Sequence, residues 1–363
     1  MATTWAGLIA NEGQAGYIKP TGASIPSALQ GVYDKNLLER ALPLLLHDKF
    51  GQKRTLPRKS GKTMVFRRYE TMSVATTPLT EGTTPSGADL TKSEVVATIA
   101  QYGNFTQTTD LLETIGLDDI IMEATTLLGE NMGESLDTIF REILVAGTSY
   151  TYVTADDAGT PATGTSNRNT VKGVLNKYAI EQAINILERN KAKKFTGLIQ
   201  GAPKENTWPV APSYWCIIHP DMVRDLYATA YSTLTPGSDF IPVEQYANQT
   251  QVMEGEVGKF RCVRFIATTQ SKIWTDTGYA VSGLPYRSAG TKCDVYSALF
   301  LGRDAYGIVP LDGLNSRSIV HRAGSSGTSD PLNQRSTIAW KAATTAVILN
   351  DAFMHRVECA SLA

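Results

Sequence analysis

The sequence predicts an α+β fold, and three observations carry that prediction. Residues 51–103 are rich in Thr, Val, Arg and Lys and alternate apolar with polar positions, which is the period of strands. From about Leu117 to Ala146 the apolar residues instead return every three or four positions, as in one long amphipathic helix. From residue 171 to about 320, short strand-like and helix-like segments alternate, with no internal repeat of fixed period.

Taken in order, residues 1–33 hold five glycines and two prolines among scattered Ser, Thr and Ala, with no apolar period. They read as an arm that cannot build a core of its own. Asp34 then caps a short amphipathic helix carrying Leu37, Leu38, Ala41 and Leu45, bent or restarted at Pro43 and ending at Phe50-Gly51. Two strands follow. In the first, Met64 and Phe66 oppose Val65 and Arg67; in the second, Val95, Ala97 and Ile99 oppose Val96, Thr98 and Ala100. Between them, Thr76-Thr-Pro-Leu-Thr-Glu-Gly-Thr-Thr-Pro-Ser-Gly is rich in turn formers and poor in large apolar residues, so the whole reads as a long two-stranded projection.

The long helix gathers Leu117, Ile120, Ala124, Leu127, Leu128, Leu136, Phe140 and Leu144 on one face, with Asp118 and Asp119 favouring its N-terminal dipole. At ~1.5 Å per residue it would be about 45 Å long. Gly129 and Gly133 lie one turn apart inside it and mark either close backbone packing or tolerated glycines. A Gly/Thr/Ser/Asn loop from Asp156 to Asn169 opens a new domain. There a helix from Tyr178 to Lys194, a strand at Trp215-Cys-Ile-Ile-His-Pro, a capped helix from Asp221 and a strand at Cys262–Ala267 follow in turn. After a Gly/Ser loop at Ser325–Asp330, Thr337–Thr345 and Ala346–Ala360 read as strands crossing back over something already built.

Composition narrows the function. The 363 residues are 42% hydrophobic and 19% charged, a globular balance, and 34 basic against 35 acidic residues leave a net charge of −1. No overall field draws such a chain to nucleic acid or an anionic membrane. Cys216, Cys262, Cys293 and Cys359 lie far apart and form no Cys-x-x-Cys pair, so reduced thiols are expected. The N-terminus lacks a charged and apolar export signal, and no apolar run approaches the ~20 residues of a membrane span, so the expectation is a soluble protein made in the cytoplasm.

Chemical motifs fail on inspection. Gly61-Lys62-Thr63 invites a phosphate-loop reading, but Leu56 stands where that motif requires glycine. His47, His219, His321 and His355 show no metal-ligand spacing, no Gly-x-Ser-x-Gly elbow occurs, and Asp156-Asp157 lacks a calcium-loop register. His219-Pro220-Asp221 reads as strand end, rigid turn and helix cap. No catalytic, cofactor-binding or metal-binding residue is assigned, and no cofactor is expected.

What survives is electrostatic. Residues 49–68 carry eight basic residues and no acid, a local balance of +8; residues 110–142 carry nine acids against Arg141 alone, a balance of −8. A charge run is ordinarily a solvated face, and a DNA contact is a further reading of the basic block. Two matched blocks of opposite sign, one on a coreless projection and one on the long helix, point to the projection lying across the helix of another copy. The expected subunit-contact residues are Lys53, Arg54, Arg58, Lys59, Lys62, Arg67 and Arg68 on one side and Glu123, Glu130, Glu134 and Asp137 on the other.

Six segments in fixed order carry a family resemblance: Lys49-Phe-Gly-Gln-Lys-Arg-Thr-Leu-Pro, Thr76-Thr-Pro-Leu-Thr-Glu-Gly, Ile99-Ala-Gln-Tyr-Gly, His219-Pro-Asp-Met-Val-Arg-Asp-Leu, Leu301-Gly-Arg-Asp-Ala-Tyr-Gly and Ala339-Trp-Lys with Ile348-Leu-Asn-Asp. Over nearly its whole length the chain resembles the major capsid proteins of tailed bacteriophages with the Hong Kong 97-like fold, particularly the branch first defined in N4-like phages. The resemblance implies an N-terminal arm and short helix at 1–50, an E-loop at 51–100, a P-domain built on a spine helix at 101–170 and 326–363, and an A-domain at 171–325. It implies pentamers and hexamers closing an icosahedral shell around double-stranded DNA, bound without sequence specificity. E-loops overlie neighbouring P-domains, and assembly takes place in the host cytoplasm. A separate scaffolding protein, a portal and, where present, cement proteins are the implied partners, with no membrane; residues 1–33 are too short and Gly-rich for a built-in scaffolding segment. The alternatives are another virion component, such as a decoration or tail-tube protein, and a soluble enzyme whose site is dispersed in sequence.

Overall fold

In the computed structural model, residues 46–70, 72, 74, 76, 78, 81–84, 87, 89–115, 120–154, 167–195, 212–232, 240–246, 252–253, 255–281, 286–312, 317–321, 332 and 334–362 are described. The expected arm and first helix fall almost entirely outside them, as do most of the loop expected at Asp156–Asn169 and all of Ser325–Asp330. The fold is α+β, as expected, with the helices and strands largely where periodicity placed them.

By contact the chain forms two units. The larger comprises Pro43–Gly103, Asn131–Arg317 and Lys341–Ala363; the smaller comprises Met1–Leu42, Asn104–Glu130 and Ser318–Trp340. The centre of the larger unit is an eight-stranded sheet. Its path runs β5 (Tyr150–Tyr152), β15 (Met354–Cys359), β11 (Val295–Leu301), β6 (Tyr214–Ile218), β9 (Val263–Ala267), β8 (Glu256–Phe260) and β7 (Phe240–Pro242), with β10 (Ile273–Trp274) also paired to β11. β6 and β9 pair in parallel and β6 with β11 antiparallel; β6 and β11 are buried along their whole length, so their sequences read as continuous apolar runs rather than alternating ones.

Alternate residues of these strands feed two cores. One face sends Tyr214, Cys216, Ile218, Phe265, Tyr296, Phe300, Val357 and Cys359 against helices α3 (Lys177–Arg189) and α4 (Asp221–Ser232). α3 begins at Asn176, whose side chain accepts a hydrogen bond from Ala179 N, and buries Ala179, Ile180, Ala183, Ile184 and Leu187, one helical stripe. The other face sends Trp215, Ile217, Ile266, Leu299, Leu301 and Met354 against Phe140 and Leu144 of helix α2 (Ile120–Val145), and against Leu46, Phe50 and Tyr306.

A second sheet is built around β14 (Arg335–Ile348), a 14-residue strand that pairs with β12 (Tyr306–Pro310), β13 (Arg317–His321) and β4 (Ala100–Thr109). β12 also takes β1 (Gln52–Lys53) in parallel. The sequence places a strand break near Thr345, whereas β14 runs on to Ile348. The chain turns instead at a short 3-10 turn, Asp351–Phe353, where Asn350 caps Ala352 N. Helix α1 (Asp110–Ile115) was not expected; it precedes α2, described over Ile120–Val145, and the expected start at Leu117 lies outside the described residues. Gly129 faces open space, so no close packing explains it there, whereas Gly133 is buried.

Candidate subunit interface

The hairpin is made by β2 (Thr63–Tyr69) and β3 (Lys92–Thr98), which pair antiparallel with Val65 opposite Val96 and Phe66 opposite Val95. Pleating sends alternate pairs to opposite faces. On the inner face Phe66, Ala97 and Ile99 join Leu56, Val309 and Ala343 in an apolar cluster, with Met64 and Val95 packed beside them. Phe66 lies so close to Gly307 that a Cβ there would stand 2.9 Å from its ring. The base of the hairpin is therefore anchored in the subunit's own core. The outer face has no such cover: Val65 is 41%, Val96 56% and Tyr69 63% exposed, with Met72, Val74 and Leu90 exposed further along. A soluble protein that stands alone seldom presents such a row.

The basic residues expected on this projection are exposed, but several are already engaged. Lys53 pairs with Asp48 at 2.5 Å, and Arg58 Nε–H donates to the Asp312 carbonyl at 3.2 Å. Arg67 lies 3.2 Å from Glu94 and Arg68 3.6 Å from Glu70, while Arg54 stacks over the Phe66 ring at 5.3 Å. A hydrogen bond from Lys92, helped by Arg67, holds the Glu94 carboxyl below its usual range. Lys59 and Lys62 have no ion-pair partner among the described residues. Lys59 adopts a positive φ of 64° in the turn before β2, and Gly61 one of 93°, so the Gly-Lys-Thr segment is a surface turn rather than a phosphate cradle.

On α2, Glu123, Glu130 and Glu134 lie at i, i+7 and i+11 with Leu127 between them, one stripe of the helix. None of the three carboxylates has an ion-pair partner among the described residues, and Leu127 is 42% exposed. The smaller unit also exposes Phe105, Leu111, Leu112 and Leu332, and none of its described residues belongs to the three apolar clusters.

Asp137 departs from the expectation. It is 1% exposed and faces inward, where Oδ1 accepts from His47 N at 3.0 Å and Oδ2 meets His47 Nδ1 at 2.8 Å. Tyr306 O–H in turn donates to the His47 carbonyl at 2.6 Å. By helical period Asp137 sits at the edge of the Glu130 and Glu134 stripe, at i+7 and i+3, but it is also one and two turns from the buried Phe140 and Leu144, and His47 takes up its carboxylate on that side, so it is removed from the contact set. Sequence reasoning also missed the apolar outer face. The alternation at Val65 and Val96 was visible, but with apolar residues on both faces it does not say which face the body covers.

Among the described residues no cluster of three or more His, Cys, Asp and Glu side chains is placed to hold a metal ion, and no helix is long and apolar enough to cross a membrane. The comparisons with known proteins bear on what the exposed surfaces serve. No curated protein matches the sequence. Among solved structures, the chain is similar to the capsid of Ralstonia phage GP4, with a TM-score of 0.60 and 12% identity over 86% of this chain and 88% of that one. It is also similar to the capsid of the cyanophage P-SCSP1u, with a TM-score of 0.53 and 13% identity over 95% and 97%. A third match is the acid-stable capsid of Helicobacter pylori bacteriophage KHP30, with a TM-score of 0.51 and 11% identity over 85% and 87%. These likenesses establish the Hong Kong 97-like fold, and the phage capsid protein model matches residues 92–354, most of the chain. The chain thus belongs to the phage capsid protein family.

Proposed function

We propose that this major capsid protein closes an icosahedral shell through its hairpin: residues 51–100 form an E-loop whose outer face lies on the α1–α2 surface of the next copy. The observation that carries the reading is the split character of the hairpin, with Phe66 sunk in its own core and Val65, Val96 and Tyr69 left uncovered. The receiving surface has matching chemistry, with Leu111, Leu112 and Leu127 to cover and Glu123, Glu130 and Glu134 to meet Lys59 and Lys62. Apolar burial supplies most of the attraction at about 25 cal/mol per Å². Exposed ion pairs, worth ~0–1 kcal/mol each, set register and steer approach.

Under this reading the protein works without catalysis and associates chiefly with itself, as pentamers and hexamers enclosing double-stranded DNA. A scaffolding protein guides assembly in the host cytoplasm, a portal interrupts one vertex, and cement proteins occupy the outside if present. The test is expression with and without a scaffolding partner, followed by electron microscopy of the wild type and of a Val65→Glu, Val96→Glu double variant. Closed shells from the wild type and only folded, unassembled subunits from the variant are expected. Shells of unchanged form from the variant contradict the proposed contact.

A further inference from the structure

The chain leaving α2 is tied to β15 by a side chain that the shell contact does not use. His355 is 2% exposed, yet both ring nitrogens are occupied: Ser149 Oγ lies 2.9 Å from Nδ1 and Thr151 Oγ1 2.9 Å from Nε2. Ser149 belongs to the turn after α2 and Thr151 to β5, so one imidazole joins both to β15. Its neighbours reinforce the joint. Arg356 N donates to the Ser149 carbonyl at 3.0 Å, and the Arg356 guanidinium donates to the carbonyls of Val145 and Gly147 at the end of α2. Thr148 donates through both its N–H and its hydroxyl to Asp351. The exit of α2 is thus held largely by polar contacts, whereas the sheet beside it is held by apolar layers.

A neutral imidazole suits this site, because one nitrogen donates to one hydroxyl while the other accepts from the second. A further proton makes both nitrogens donors. The hydroxyl that had been donating to the ring then loses its acceptor, and a cation is buried beside Arg356. Among the described residues, no carboxylate beside the ring is free to compensate. Phe300 stands opposite on β11, and α3 buries the apolar stripe Ala179, Ile180, Ala183, Ile184 and Leu187 on this side, with Gln182, whose buried Oε1 has no partner among the described residues, as its neutral polar group. Asp351 is engaged by Thr148, and Glu358 by Arg356 and Arg168. Burial, then the charge of Arg356, hold the imidazole down to about 4.

We propose that His355 is an acid-released pin: at neutral pH it locks the exit of α2 to β15, and its protonation frees residues 146–152 while the apolar layers of the sheet stay folded. This inference does not rest on the E-loop contact.

The test is hydrogen exchange read by mass spectrometry on assembled shells and, in parallel, on unassembled full-length chain, at pH 7 and pH 5 with intrinsic rates corrected. An open-segment histidine at 6.5 and a closed one near 4 make opening of residues 146–152 about twenty-fold more frequent at pH 5. β6 and β11 should remain protected, and His355→Gln, which cannot take the proton, should lose the response. Unchanged protection at 146–152, acid exposure spread over the whole sheet, or the same response in His355→Gln each overturns the proposal. Should the variant not fold, titration of the wild-type imidazole by NMR decides: protonation near 6.5 overturns it as well.

Discussion

Arg264 and Glu256 show how the larger unit tolerates charge in its interior. They are 3% and 0% exposed and meet at 2.5 and 2.6 Å, with Tyr246 O–H and Met253 N also donating to the carboxylate and the Trp215 ring 4.5 Å from the guanidinium. Removing one partner strands the other, so Arg264→Leu is expected to cost about 3–5 kcal/mol in denaturant unfolding. Asp225 is the opposite case. Its Oδ2 accepts from Leu362 N, but Oδ1 has no partner among the described residues, and burial pushes the carboxyl up despite Ser361 and Leu362. A group whose folded pKa is raised stabilises the fold while protonated and loses that contribution as pH rises through the raised value. Asp225→Asn should therefore melt higher than the wild type at pH 7, with the difference closing toward pH 4. A shift independent of pH contradicts this assignment.

For the hairpin, the two faces of β2 and β3 predict opposite phenotypes. Phe66→Ala empties part of the cluster with Leu56, Val309 and Ala343 and is expected to destabilise the subunit by about 3–5 kcal/mol. Val65→Ser and Val96→Ser should change subunit stability by no more than ~0.5 kcal/mol, yet reduce shell yield sharply. If instead all three variants lose stability together, the outer face is covered within the subunit. Lys59→Glu with Lys62→Glu should slow assembly most at low salt and progressively less as salt screens the contact, which light scattering across a salt series reads directly. The strands and the long helix were legible because their apolar periods of two and 3.6 survive in sequence. The inward turn of Asp137 and the pairing of Arg67 with Glu94 were not, because a run of like charges carries no information about which members the fold itself satisfies.

At the level of the whole molecule, membership of the phage capsid protein family directs attention to the surfaces through which copies meet. The fold class was readable from three periodicities, and the family from six short segments. β14 running through to Ile348 was not readable, since the turn that ends it depends on Asn350 capping a single 3-10 turn. Whether the exposed row on β2 and β3 matters depends on a second copy, which no single sequence contains. The most direct measurement is a cryo-electron microscopy reconstruction of shells assembled from this chain. The account requires the Val65–Val96 face of each hairpin to be buried on Leu111, Leu112 and Leu127 of an adjacent copy. Shells in which that face points to solvent, or folds back on its own subunit, contradict it.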